Sequence, residues 1–213
     1  MEYISFHFKF LLFYSLFTFL HNHTIIHLPQ NKLKNSNFEY KKIERLIIMR
    51  KNVYFYETNT PIGKIGLATT ENDSHITDVI WNYEIEKFKN DDNFQIIETE
   101  LIKRAKKQLF EYFSKKRKQF DLPLLKEGTP FQISVWNALE TIPYGETRSY
   151  KDIAVAIKNE KAVRAVGMAN NRNKISIFIP CHRVIGANGK LVGYGGGLHI
   201  KKFLLELEGI KIK

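Results

Sequence analysis

Apolar and polar residues alternate with two different periods in the middle of the chain. Short runs rich in β-branched and aromatic residues cover Val53–Glu57, Gly63–Thr70 and His75–Trp81, and such runs predict β-strands. The turn sequence Asn59-Thr60-Pro61 separates the first two runs and predicts a hairpin. From Glu98 to Phe120 the apolar residues recur at helical spacing beside a charged face, which predicts one long amphipathic helix.

Helical spacing returns after residue 128. Thr129-Pro130 combines an N-cap residue with proline at the first helical position, and predicts a helix over Phe131–Ile142. A second helix is predicted over Tyr150–Ile157, with either Ser149 or Thr147 as its cap.

A third helix is predicted from residue 161 to about residue 170. Together with the second it forms two short helices joined by a tight connection, the pattern of a helix-turn-helix. The small residues Ala162, Ala165 and Gly167 leave one side of this helix nearly flat. Flatness suits either close approach to a partner or tight packing inside a core, and the local pattern does not decide between them.

The last part of the chain predicts a short buried strand at Ile175–Ile179, a turn at Asn188-Gly189 and a closing helix over Ile200–Glu208. We therefore expect an α/β (α+β) fold. A small N-terminal α/β domain with a mostly antiparallel sheet would cover residues 49–125, and a helical, winged-helix or helix-turn-helix-like domain residues 129–213.

Residues 1–48 differ from the rest of the chain. The apolar run Leu11–Leu20 is too short to span a bilayer, and no small-residue cleavage site follows it. His21, His23 and His27 have no carboxylate or thiol nearby in sequence, which disfavours a metal site. Our hypothesis is that the working protein begins at Met49 and that the preceding residues are an extension with no role in the fold.

The charge of the chain indicates an anionic partner. The sequence has 33 Lys and Arg against 22 Asp and Glu, a formal net charge of +11. Thirteen of the basic and six of the acidic residues lie in 129–213, so this part alone carries +7. A basic surface favours nucleic acid or an anionic membrane through counterion release and electrostatic steering.

The chain has one cysteine, Cys181, so no intramolecular disulfide can form. A lone cysteine is either a small buried apolar residue or a reactive thiol. A free thiol is only a few per cent thiolate near neutral pH, and a nearby base oriented by a carboxylate would activate it. His182 follows directly, although side chains of successive extended residues point apart, so contact requires a bend after Pro180 or a bridging water.

A carboxylate that could orient this base lies at the end of the closing helix. Glu206 and Glu208 stand near its C-terminus, where the helix dipole disfavours negative charge, so a partner such as His182 is expected to hold one of them. Asn173 either supports the turn before the cysteine through side-chain hydrogen bonds or is only a loop residue.

Several motifs are similar to those of one family. Pro180-Cys181-His182-Arg183-Val184, the run Gly193–Gly197 and the ending Leu205–Gly209 resemble the O6-alkylguanine-DNA alkyltransferases, or methylated-DNA–protein-cysteine methyltransferases. Phe131-Gln132, Ile142–Thr147 and Ala162–Gly167 support the resemblance. It is dense over 129–209, looser over 49–125, and does not extend to residues 1–48.

The resemblance implies a single-turnover DNA-repair enzyme that moves the alkyl group of O6-alkylguanine, and of O4-alkylthymine, to its own Cys181. Glu208, His182 and a water would deprotonate the thiol, and Asn173 would steady the site. The helix-turn-helix would enter the minor groove of double-stranded DNA and flip the damaged base out. The resemblance implies substrate contacts by Tyr150, Val184, Tyr194 and Gly195, and DNA contacts by Arg164, Ala162, Ala165 and Gly167.

The same resemblance implies a cytoplasmic monomer without a cofactor or a membrane partner, with the nucleus or nucleoid as other locations. Some relatives hold zinc through Cys and His residues that this chain lacks, so no metal is expected. Gly195 stands where some relatives have serine, which affects the width of the alkyl pocket. Arg183 contacts either phosphate or the protein interior, and its place beside a buried segment favours the interior.

Three other functions fit the sequence less well. A non-enzymatic alkyltransferase-like protein would lack the reactive cysteine, which is present here. A cysteine hydrolase using Cys181, His182 and Glu208 would need an oxyanion hole, for which the sequence offers no signal. A helix-turn-helix regulator would need long side chains for reading base edges, which the helix of small residues lacks.

Overall fold

The structure is a computed structural model that describes residues 53–91 and 94–212, all within one compact unit. The expectations for Met49, for the apolar run Leu11–Leu20 and for the three N-terminal histidines concern residues outside these ranges. Among the described residues, no helix is long and apolar enough to cross a membrane.

The N-terminal half is built on a four-stranded sheet. Its strands are β1 (Val53–Thr60), β2 (Gly63–Thr69), β3 (Ile76–Trp81) and β4 (Phe94–Ile96), in the order β3-β2-β1-β4. β1 and β2 form the predicted antiparallel hairpin, β3 pairs antiparallel with β2, and β4 adds a parallel edge. The predicted mostly antiparallel sheet is confirmed, and with the helices described next it confirms the α/β (α+β) fold class.

Two helices accompany the sheet: α1 (Ile85–Lys89) lies between β3 and β4, and α2 (Glu100–Phe113) follows β4. The prediction of one long amphipathic helix from Glu98 to Phe120 is wrong at its C-terminal end, because α2 stops at Phe113. The chain leaves the helix at Ser114, and Lys115 takes a positive φ of 60°. This reversal lets Phe120 return to pack on Tyr112, with 5.3 Å between ring centroids, and an apolar residue at helical spacing is therefore not part of the helix.

Both predicted caps of the C-terminal half are present. Thr129 caps α3 (Pro130–Glu140) through a capping box with Gln132. Ser149, not Thr147, caps α4 (Tyr150–Ala156) through a capping box with Asp152. Each box satisfies two backbone donors at the start of its helix, which fixes where the helix begins.

The remaining elements surround the cysteine. A 3₁₀ turn at Glu160–Ala162 leads into α5 (Val163–Asn171), which packs against α3 and α4. A second 3₁₀ turn, Cys181–Arg183, leads into β6 (Val184–Ile185), which pairs in parallel with β5 (Arg148–Ser149). The chain closes with α6 (Leu198–Leu207).

The predicted strand at Ile175–Ile179 is wrong, although the segment is buried. It forms a tight turn in which the Ile179 amide donates to the Ile175 carbonyl at 2.9 Å and Ile177 takes a φ of 77°. Asn173 closes the turn, since its amide group donates to the Ile179 carbonyl at 2.9 Å and its side-chain oxygen accepts from the Ile175 amide at 3.0 Å. A continuous apolar run shows burial but does not distinguish a strand from a buried turn.

One core extends through both halves. It joins residues of the sheet and α2, such as Leu67 and Tyr112, with residues of the C-terminal helices, such as Leu139 and Leu204, and it includes Cys181. The division at residues 125–129 stays a prediction, because the described residues share this core.

Candidate active site

Cys181 is the first residue of its 3₁₀ turn and is only 3% exposed. Its backbone amide donates to the Ile179 carbonyl at 2.8 Å, and its Sγ lies 3.8 Å from the Ser176 hydroxyl. Burial raises the pKa of the Cys181 thiol, while hydrogen bonds from Asn173 and Ser176 and the charge of Lys201 oppose the increase. Because burial dominates, the thiol is protonated at rest and needs a base to react.

His182 is fully buried, and its Nε2 lies 2.9 Å from Oε1 of Glu208. Burial lowers the pKa of His182, so the ring is neutral and its Nε2–H donates to the carboxylate. Nδ1 then carries the free lone pair, and it has no hydrogen-bond partner among the described residues. The 3₁₀ turn provides a bend after Pro180, which was one of the two expected ways for His182 to act on Cys181, the other being a bridging water. Nδ1 of the buried ring is available as the base.

Glu208 lies directly after α6 and accepts hydrogen bonds from four residues in three parts of the chain. Its donors are His182 Nε2, the Tyr112 hydroxyl at 2.7 Å, the Arg183 guanidinium at 2.9–3.3 Å and the Gly145 amide at 3.1 Å. Burial opposes ionisation, but hydrogen bonds from His182 and Arg183 and the charge of Arg183 outweigh it and lower the pKa of Glu208 to about 2. The expected contact between the end of the last helix and His182 is present.

Arg183 and Tyr112 complete this arrangement. Arg183 points into the protein, where it pairs with Glu208 and also donates to the Ile142 carbonyl at 2.6 Å, as its neighbouring segment indicated. Tyr112 lies on the apolar face of α2, and the sequence indicated only its packing. No local pattern marks a tyrosine that reaches a residue 96 positions away.

Lys201 is a further buried polar residue that the sequence analysis missed. It is fully buried in α6, and its Nζ donates to the carbonyls of Val184 at 2.6 Å and Val192 at 2.9 Å. Burial lowers the pKa of Lys201 to about 8. A signal for it was present, because Lys201 shares a helical face with Leu204, Leu205 and Glu208.

The residues expected to contact the substrate come from α4, from β6 and from the segment just before α6. Tyr150 is half-buried at the start of α4 and is hydrogen-bonded to Asn170, whose side-chain amide also donates to the Cys181 carbonyl at 3.3 Å. Val184 is fully buried in β6. Tyr194 has a buried hydroxyl, and burial raises its pKa well above 10.

The small residues of α5 do not all face the same way. Arg164 and Ala165 are exposed, and Met168, one turn after Arg164, is 60% exposed. Gly167 instead faces Tyr150, since a Cβ atom there would lie 3.8 Å from the ring. Ala162 ends the 3₁₀ turn before α5 and is half-buried. One part of α5 is therefore exposed for close approach to a partner, and another part packs inside the protein, so each of the two interpretations holds for part of the helix.

Within the described ranges, no three His, Cys, Asp or Glu side chains come together as a metal site.

Comparisons with known proteins agree with this geometry. The family model described as 6-O-methylguanine DNA methyltransferase, ribonuclease-like domain, matches residues 49–125, and the model of the DNA binding domain of the same methyltransferase matches residues 130–210. The chain is 49% identical over 163 residues to the constitutive methylated-DNA–protein-cysteine methyltransferase of Bacillus subtilis, covering 75% of this chain and 98% of that protein. It is 51% identical over 157 residues to the Methanosarcina acetivorans methyltransferase, covering 74% and 99%.

A solved structure gives the same result. The crystal structure of Mycobacterium tuberculosis OGT in complex with DNA matches with a TM-score of 0.66 and 44% identity, covering 73% of this chain and 92% of that one. Its identity and coverage, like those of the two relatives, are high enough to show common family membership. The chain belongs to the family of methylated-DNA–protein-cysteine methyltransferases.

Proposed function

We propose that this protein repairs alkylated DNA by taking the alkyl group of O6-alkylguanine onto Cys181 once, without turnover. The observation that carries the proposal is the buried series Cys181, His182 and Glu208, in which a neutral imidazole with a free Nδ1 follows the thiol. Family membership supports the reaction class, since the Bacillus subtilis and Methanosarcina acetivorans relatives are named for this transfer.

The proposed reaction begins with removal of the thiol proton. Nδ1 of His182 takes the proton from Cys181, directly or through a water, and the ionised Glu208 stabilises the imidazolium that forms. Sγ then attacks the alkyl carbon, a sulfur–carbon bond forms, and the bond from that carbon to O6 breaks. The electron pair goes to guanine, which takes up one proton, so that the thiol proton is replaced by the alkyl group overall. The thioether that results is not hydrolysed, and the protein acts once.

Burial of the thiol explains why the damaged base would have to leave the duplex. A group that is 3% exposed cannot reach an atom inside stacked DNA, so the nucleotide is expected to rotate into the protein. Extrusion costs a few kcal/mol, which contacts in the complex would offset. In the proposed complex Tyr150, the Val184 backbone, Tyr194 and Gly195 receive the base.

The exposed face of α5 is the proposed DNA contact. Arg164 would fill the space that the extruded nucleotide leaves, while Ala165, and Ala162 just before the helix, permit close approach in the minor groove. Gly167 would assist from the inner side, where the lack of a side chain lets α5 pack closely on Tyr150. The net charge of +7 over 129–213 favours a polyanionic duplex. We propose a monomer acting on double-stranded DNA in the cytoplasm or nucleoid, with O4-alkylthymine as a second substrate.

The test is transfer to the protein itself. Incubation with duplex DNA containing O6-methylguanine should add one methyl group to the peptide that contains Cys181, as measured by mass spectrometry, and Cys181→Ala should abolish the addition. A duplex containing O4-methylthymine tests the second substrate separately. Absence of transfer by the wild-type protein, or transfer that persists in Cys181→Ala, would refute the proposed function.

A further inference from the structure

Residues Tyr194–Gly197, here called the glycine loop, rest on the end of the N-terminal sheet. The ring of Trp81, the last residue of β3, meets the ring of Tyr194 edge to face, with 5.6 Å between centroids. Trp81 is itself only 6% exposed and belongs to the core. The glycine loop is therefore backed by a rigid residue from the other half of the chain.

The fit between Trp81 and the glycine loop leaves no room for side chains. A Cβ atom on Gly196 would lie 3.0 Å from carbons of the Trp81 ring, and one on Gly195 would lie 3.3 Å from Nε1. Neither glycine has a positive φ, so backbone conformation does not require glycine at either position. Gly193, just before the loop, has nothing within 4 Å of its Cβ position. Contact with Trp81 is the reason for glycine at 196, and it leaves little room for a side chain at 195.

A second aromatic residue holds the loop from the same side. Tyr83 is 70% exposed, and its hydroxyl donates to the Gly195 carbonyl at 3.1 Å. Just before the loop, Lys201 fixes the Val192 carbonyl at 2.9 Å. The backbone from Val192 to Gly195 is thus hydrogen-bonded to side chains of the protein at both of its ends.

The Tyr194 hydroxyl connects this loop to the reacting atom. It is buried, and Tyr194 packs against the same core cluster that contains Cys181, so the loop lies against the buried region of the thiol. Closely packed interiors resist a shift of a few tenths of an ångström. A loop packed on Trp81 therefore has little freedom to shift toward the sheet.

We propose that Trp81 and Tyr83 are positioning residues that fix the glycine loop and thereby limit the size of the alkyl group that Cys181 accepts. This inference rests on the proposed alkyl transfer and adds its specificity. Trp81 sets the closest approach of the loop to the sheet, and Tyr83 holds the Gly195 carbonyl in place. Under this proposal a methyl group is accepted without movement of the loop, while a benzyl group requires the loop to move.

The experiment compares two alkyl groups on the same DNA. Rates of transfer are measured for duplexes that carry O6-methylguanine or O6-benzylguanine at one position, and the benzyl-to-methyl ratio is the readout. Trp81→Phe should raise this ratio by about three-fold or more. Tyr83→Phe removes only the hydroxyl of an exposed side chain and should raise it by about two-fold without affecting folding. Tyr56→Phe, on β1 under Lys106, is the matched control.

Size compensation separates a positioning role from a merely structural one. Gly196→Ala should slow methyl transfer about ten-fold because its Cβ meets the indole, and Trp81→Phe should restore the rate in the double variant to within about two-fold. Gly193→Ala, with open space around its Cβ, should have no effect. Thermal unfolding of each variant accompanies the rates.

The outcomes distinguish the two proposals. If wild-type protein methylates Cys181 but neither Trp81→Phe nor Tyr83→Phe changes the benzyl-to-methyl ratio, the inference is wrong and the proposed function stands. The same conclusion follows if Gly196→Ala slows methyl transfer by the same factor in the wild-type background and in the Trp81→Phe background. If wild-type protein transfers no methyl group, the proposed function fails and this inference fails with it.

Discussion

The hydroxyl of Tyr112 donates a hydrogen bond of 2.7 Å to the carboxylate of Glu208, and so joins α2 to the end of α6. A carboxylate at the C-terminal end of a helix is opposed by the helix dipole. Tyr112, His182, Arg183 and the Gly145 amide supply the donors that overcome this opposition. The carboxylate that orients the proposed base is thus held partly by the N-terminal half of the protein.

Removing the Tyr112 hydroxyl should weaken this site. We expect Tyr112→Phe to lower the free energy of unfolding by about 1.5–3 kcal/mol, the range for a hydrogen bond to a charged group, and to slow methyl transfer. Tyr144→Phe is the matched control, since its hydroxyl donates to the neutral Leu207 carbonyl at 3.1 Å and should contribute about 0.5–1.5 kcal/mol. Urea unfolding and single-turnover rates provide the measurements. Equal losses in the two variants would contradict a special role for Glu208 as acceptor.

The same buried groups predict loss of stability toward acid pH. Glu208 has a pKa of about 2 when folded against an ordinary value of 4.5, and burial lowers the pKa of His182 below 6.5. In both cases the unfolded chain binds the proton at higher pH than the folded protein does. The free energy of unfolding therefore falls as the pH drops below 6.5, through His182, and falls further from 4.5 toward about 2, through Glu208.

Urea unfolding at a series of pH values measures this dependence. Glu206 is an exposed carboxylate one position before the end of α6, and Glu206→Gln should leave the dependence of the free energy of unfolding on pH unchanged. Glu208→Gln should remove the decrease in this free energy between pH 4.5 and about 2. A free energy of unfolding that stays constant as the pH falls through both windows would show that neither group is held in its charge state by the fold.

The exposed position of Arg164 predicts a dependence on the form of the substrate. We expect Arg164→Ala to slow repair of O6-methylguanine in duplex DNA by about ten-fold or more, because the extruded nucleotide is then not replaced in the stack. Reaction with free O6-benzylguanine, which needs no extrusion, should be nearly unchanged. Arg104→Ala, on α2 and paired with Asp121, controls for the loss of one positive charge. Equal losses with both substrates would exclude Arg164 from base extrusion.

The buried position of Lys201 predicts that the reactivity of the Cys181 thiol depends on the Lys201 ammonium. Its ammonium lowers the pKa of Cys181 and holds the Val184 carbonyl at 2.6 Å. We expect Lys201→Met to slow reaction with free O6-benzylguanine by about ten-fold and to move the rise of the rate to higher pH. Lys202→Met, the exposed neighbour, is the control. An unchanged pH profile in Lys201→Met would show that this charge does not act on the thiol.

Local signals in the sequence were sufficient where a single turn of chain decides the structure. The caps at Thr129 and Ser149 are followed three residues later by Gln132 and Asp152, and both helices begin at these boxes. The sequence predicts too long a helix for α2, because Phe120 keeps the helical spacing although it lies beyond the helix and packs back on Tyr112. The segment Ile175–Ile179 was misread because Asn173 turns an apolar run that resembles a strand.

By itself, the sequence determined the types of most elements, the family, and the candidate set Cys181, His182 and Glu208, because these depend on residue type and spacing. Only the tertiary structure decided which other groups join them. Tyr112 and Glu208 are 96 residues apart, Arg183 and the Ile142 carbonyl 41, and Trp81 meets the glycine loop from the other half of the chain. Such contacts leave no local period, because they form only when the packing of a shared core brings distant buried groups within hydrogen-bond distance.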